Sequence, residues 1–135
     1  MRALATTWLV GFLIVQDVTQ TIDRVRASWL RQDAVGVLEG ATRVVVQLPG
    51  EAATAPLGAE QASRALARLF VDATEVGLEV TTVRRLSGET VYAEMKRRFR
   101  VRGSEGTVEQ RVFAAFRLDG GRWRLVELRI GAAGR

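Results

Sequence analysis

The chain has 135 residues, of which 47% are hydrophobic and 26% charged, a balance that suits one folded domain with a real core and argues against disorder. It holds no cysteine, no histidine and no asparagine. Disulfides, thiolate or imidazole metal sites, histidine-based nucleophilic triads and N-glycosylation are therefore excluded by residue type alone. The formal net charge is +5, but 19 of the 20 basic residues are arginine and Lys96 is the single lysine. Such a bias can arise from coding composition as readily as from a phosphate-binding surface, so nucleic acid is not favoured as a partner.

Met1-Arg2 followed by the apolar run from Ala3 to Val15 has the form of the n- and h-regions of a secretory signal peptide. The run is short for a transmembrane helix, which needs ~20 apolar residues. No Ala-x-Ala follows Val15. The expectation is a signal peptide or anchor over 1–16, one domain over 17–131 and a tail over 132–135. The protein is then exported (periplasmic or extracellular) or held at a membrane through its N-terminus only. The competing reading, a helix start packed on the core, would leave it cytoplasmic.

Asp17 with Gln20 three residues on reads as a capping box. Val18, Ile22, Val25 and Trp29 then recur at helical spacing, with Asp23, Arg24, Arg26 and Arg31 on the other side. Gln32-Asp33 marks a break, and a second short helix runs from Ala34 to Leu38 and stops at Gly40. Arg43 to Leu48 is a β-branched run closed by Pro49-Gly50, a strand and turn. Glu51 to Gly58 reads as a loop or irregular edge. The helical period returns from Ala59 to about Thr74, stopped by Gly77. Strands follow at about Leu78–Leu86, Thr90–Arg102, Thr107–Leu118 and Arg122–Ile130, the last two joined by the hairpin signal Asp119-Gly120-Gly121.

Helices, one strand, a helix and then a meander is an α+β order. It predicts a curled antiparallel sheet of about four to six strands wrapped around the helices, a cone with an internal cavity. Trp29-Leu30-Arg31-Gln32-Asp33, the strand Val44–Leu48, Gln61-Ala62 with Leu69-Phe70, and the ending from Gly121 to Ile130 carry a resemblance. On these residues the chain resembles the nuclear transport factor 2-like, cystatin-like α+β superfamily, and within it a small uncharacterised bacterial family whose members are often exported. The resemblance implies the cone; it does not assign an activity, because that superfamily holds isomerases, cyclases, dehydratases and members with none.

Acid–base chemistry is left to Asp, Glu, Tyr92 and Lys96. Tyr92 alternates with Val91 and Ala93, so it shares the charged outer face with Glu94, Lys96, Arg98 and Arg100. Arg97 stands out, because period 2 places it with Val91, Ala93, Met95 and Phe99 on the apolar face. Gln110 interrupts the apolar row of the next strand in the same way. A buried arginine needs a carboxylate, and Glu127 or Asp33 could supply one. Glu127 falls in phase with Trp123 and Leu125 while Val126, Leu128 and Ile130 share the other face, a conflict that suggests a bulge. The functional reading makes Arg97, Gln110 and Glu127 the polar floor of a ligand pocket. The bland one leaves Arg97 solvated at the sheet's open end.

Lys96, Arg98, Arg100 and Arg102 line one strand face, which reads as a solvated face before it reads as a phosphate or anionic-membrane site. Phe113 faces outward beside Ala115, which fits a homodimer interface between sheets. The combined expectation is a non-catalytic ligand- or protein-binding domain with no cofactor and no metal. The alternative is a small isomerase-, dehydratase- or cyclase-type enzyme with a carboxylate base in the cone. An interior filled by Met95, Phe116 and Trp29 would separate the two in favour of an interaction module.

Overall fold

A computed structural model describes residues 18–131 of the chain. The readings of a signal segment, of Asp17 as a helix cap and of a C-terminal tail fall outside the described residues. Among the described residues no helix is long and apolar enough to cross a membrane.

The first helix, α1, covers residues 18–30, and the stripe of Val18, Ile22, Val25 and Trp29 is buried as its spacing requires. It ends on a left-handed residue that is not glycine: Gln32 has φ 57°. The Gln32 N–H donates to the Trp29 carbonyl at 2.8 Å and the Asp33 N–H to the Ser28 carbonyl at 2.9 Å, the paired closure of a Schellman end. A left-handed non-glycine residue costs roughly 1–2 kcal/mol, so something must hold Gln32 there. Asp33 then caps α2, Ala34–Val37, by accepting the Gly36 N–H at 3.0 Å.

The chain continues through β1 (Arg43–Gln47), β2 (Leu57–Gly58), α3 (Ala59–Phe70), β3 (Ala73–Ser87), β4 (Thr90–Val101), β5 (Thr107–Asp119) and β6 (Arg122–Ile130). The six strands form one sheet in the order β2-β1-β6-β5-β4-β3. The pairing is antiparallel except where β1 lies parallel to β6, so the expected all-antiparallel sheet is mixed. No hairpin joins β1 to β6, and nothing in the local chain fixes their relative direction.

Two boundaries differ from the sequence expectation. The third helix stops at Phe70, not Thr74, because Ala73 and Thr74 pair with Val101 and Arg100 at the start of β3. Gly77 lies inside that strand instead of ending a helix. Tertiary pairing has overridden the local helical period.

Bulges give the sheet its curl. Opposite β4, β3 carries an extra residue at Val76, Thr81 and Leu86. Opposite β5, β6 carries one at Val126. Each inserts a local bend and extra twist, and the sheet wraps its inner face around α1 and α3. Trp29, Leu66, Met95, Phe116 and Leu128 fill the space so enclosed, all essentially inaccessible to solvent.

Candidate functional site

Arg97 points inward. Its side chain is 1% exposed, in the middle of the inner face of β4 between Met95 and Phe99. The carboxylate that meets it is Glu75, whose side chain is fully buried, and not Glu127 or Asp33. Arg97 Nε donates to Glu75 Oε1 at 2.8 Å and Nη2 to Oε2 at 2.5 Å, a two-pronged charge-assisted contact. Trp29 Nε1 donates to the same Glu75 Oε1 at 2.6 Å. Arg97 Nη1 donates to Gln110 Oε1 at 2.7 Å. The guanidinium carbon lies 3.7 Å from the Phe99 ring centre and 5.7 Å from that of Trp29, and the Trp29 and Phe70 rings meet edge to face at 5.2 Å.

Gln32 explains its own strained backbone. Its Nε2 donates to the carbonyls of Phe70 (3.4 Å) and Ala73 (3.0 Å), and its Oε1 accepts the backbone N–H of Glu75 at 3.0 Å. One side-chain amide at the end of α1 therefore fixes the turn from α3 into β3 and positions the residue that pairs with Arg97.

The structure thus brings Arg97 and Gln110 together and sends Glu127 elsewhere. The bulge expected in β6 is present: Ala115 pairs with Glu127 while Phe116 pairs with Leu125, leaving Val126 extra. That shift turns Glu127 to the outer face, where it is half-buried and ion-paired with Arg129. In β3 the bulge at Val76 works the other way. By simple alternation Val76 would face inward with Leu78; instead Val76 is 42% exposed and Glu75 takes the inward place. Sequence reasoning missed Glu75 because it lay between an overlong helix and a strand begun too late. An arginine in an apolar row was the usable signal, since it demands an acid within reach.

Around this network the expected interior cavity is occupied by side chains. Of the main surface concavities, one reaches Gln110 and Met95 from the β3–β5 side, while Arg97, Glu75 and Trp29 line none of them. Glu75 accepts from Trp29 and Arg97 on Oε1 and from Arg97 on Oε2, and its side chain is fully buried.

The outer face has a different character. Tyr92 on β4 and Phe113 on β5 stack at 5.8 Å with their planes 22° apart. Ala115 next to them is buried although it faces outward. Glu94, Glu127, Arg84, Arg111 and Arg129 surround this patch. Burial first, then the carboxylates of Glu94 and Glu127, push the Tyr92 phenol above its ordinary value, while Arg129 and Arg84 pull it back.

This is the nuclear transport factor 2-like, cystatin-like α+β fold. No protein-family model matches the sequence, and no curated protein is detectably similar to it. Among solved structures, a DUF4783 family protein from Bacteroides uniformis superposes with a TM-score of 0.70 at 12% identity, over 84% of this chain and 97% of that one. A ketosteroid isomerase-like protein from Erwinia carotovora atroseptica gives 0.71 at 14% identity, over 86% and 93%. A nuclear transport factor 2-like protein of unknown function from Shewanella oneidensis gives 0.60 at 12%, over 87% and 98%. At such identities the likeness is one of fold.

Proposed function

We propose that the chain is a non-catalytic interaction domain that works through the outer face of its sheet, where it pairs with a second copy of itself. The observation that carries this reading is the outward aromatic stack of Tyr92 on Phe113 beside the buried Ala115. An outward Phe and Tyr on neighbouring strands are an apolar centre that water does not reward. The surrounding charges include both signs, Glu94 and Glu127 against Arg84, Arg111 and Arg129, so a two-fold arrangement can set acid against base across the interface. In the same reading the domain is exported or held at a membrane by its N-terminal segment.

The alternative, an isomerase-, dehydratase- or cyclase-type enzyme, would have to use Glu75 as its base. Both oxygens of Glu75 are engaged, and its surroundings are Trp29, Arg97 and packed apolar side chains. Analytical ultracentrifugation tests the pairing. The wild-type chain should sediment as a dimer, and Phe113→Glu should weaken association at least about tenfold while circular dichroism stays unchanged. A wild-type monomer at high concentration would overturn it.

A further inference from the structure

Near the β5–β6 turn the outer face carries a feature that the aromatic pairing does not use. Arg117 and Arg124 are direct cross-strand partners. Like charges set opposite each other on a sheet destabilise it, and a local conflict of this kind is expected where a site needs it. Arg43 of β1 joins them around a concavity of about 310 Å³, whose lining also includes Val45, Val126, Pro56, Thr42 and one acid, Asp119.

Against these three arginines the hollow sets one acid: Asp119 Oδ2 forms an ion pair with Arg124 Nε at 3.7 Å, too long for a hydrogen bond, and that buried Nε has no hydrogen-bond partner. Arg124 is nevertheless held in place, because its Nη1 donates to the Gly40 carbonyl at 2.6 Å. The side chains of Arg43 and Arg117 are exposed and make no hydrogen bond or ion pair among the described residues. Arginine is the chain's default cation, so the number of arginines says little. Their convergence on one hollow with an apolar floor says more.

We propose that this hollow binds a small amphiphilic anion. Its carboxylate or phosphate head would lie on the guanidiniums of Arg43 and Arg117, and its alkyl or aryl body on Val45, Val126 and Pro56. The guanidinium fork matches both kinds of oxyanion, and the valines and proline reject a fully hydrated body.

Calorimetric titration of the full chain with octanoate and with octyl phosphate tests the site and tells the two heads apart. At least one should bind, with inorganic phosphate and octanol each about tenfold weaker or more. Arg117→Ala should weaken the binding about tenfold, whereas Arg100→Ala, on the same face but far along the sheet, should leave it unchanged. No binding of either amphiphile, binding indifferent to Arg117→Ala, or inorganic phosphate binding as well as the amphiphiles would overturn the proposal. The site does not depend on self-pairing, so Phe113→Glu should keep the affinity, and a loss there would overturn its assignment to a single chain.

Discussion

Two carboxylates stand next to bulges, and the bulges send them to opposite faces of one sheet. Glu75 precedes the extra residue Val76 in β3 and turns inward, where it is buried against Arg97, Trp29 and the end of α1. Glu127 follows the extra residue Val126 in β6 and turns outward, where it borders Tyr92 and pairs with Arg129. In both strands a one-residue slip reverses the face that alternation assigns. The consequences are unequal. An inward acid becomes part of the core, with its energy set by desolvation; an outward acid remains a screened surface charge.

The largest expected effect comes from removing the inward acid. Glu75→Ala strands a buried guanidinium and should cost about 3–5 kcal/mol in urea unfolding, whereas the double change Glu75→Leu with Arg97→Met should recover most of that loss. Glu127→Ala, in contrast, should stay within about 0.5 kcal/mol of wild type. Equal costs for the two acids would break the comparison.

Gln32 offers the next test, because it holds the inward acid's backbone from a left-handed conformation. Both Gln32→Ala and Gln32→Gly lose the side-chain amide. Alanine keeps the backbone penalty that glycine removes, so the alanine variant should be less stable than the glycine variant by about 1 kcal/mol. Identical stabilities would mean that the backbone relaxes when the amide is lost.

The smallest effect is spectroscopic and reads the outward acid. Tyr92 is the chain's one tyrosine, so tyrosinate absorbance reports a single group. Its titration should lie above the ordinary value of about 10, chiefly from burial, with Glu94 and then Glu127 adding to it. Glu127→Gln should lower it, and Glu75→Gln should not. Below the unfolded pKa the phenol is neutral in both folded and unfolded chains, and its contribution to stability is fully present. As pH rises through the interval up to the folded value, the unfolded chain releases its proton first and that contribution is lost.

The existence of the helices, the strand order from β3 to β6 and the place of Arg97 in an apolar row were legible because they follow period and turn chemistry. The direction in which Arg97 points stayed open between the core and the sheet's open end. Arg97 and Gln110 announced themselves as polar breaks in apolar rows. Their acid did not. A bulge adds a residue without any compositional mark, and Val76, Leu78 and Val80 alternate as smoothly as if no slip occurred. The conflict of phase around Glu127 was visible because the hydrophobic pattern itself changed parity there. Nor could Gln32 be read, since a left-handed glutamine at a helix end is intelligible only once its distant carbonyl partners are in place. The parallel pairing of β1 with β6 depends on contacts far apart in the chain, which local patterns do not encode.

The bulges of β3 have one more consequence, for how molecules of this protein can meet. Among the described residues β3 is an edge strand, and an extended strand from another molecule would normally find there a row of unpaired amides and carbonyls to copy. Val76, Thr81 and Leu86 interrupt that row every five residues, and the opposite edge, β2, is only two residues long. Neither border offers a continuous template for intermolecular strand addition. Interrupted and very short edges of this kind are how sheets resist edge-to-edge association, here beside an exposed Val83 and Leu86.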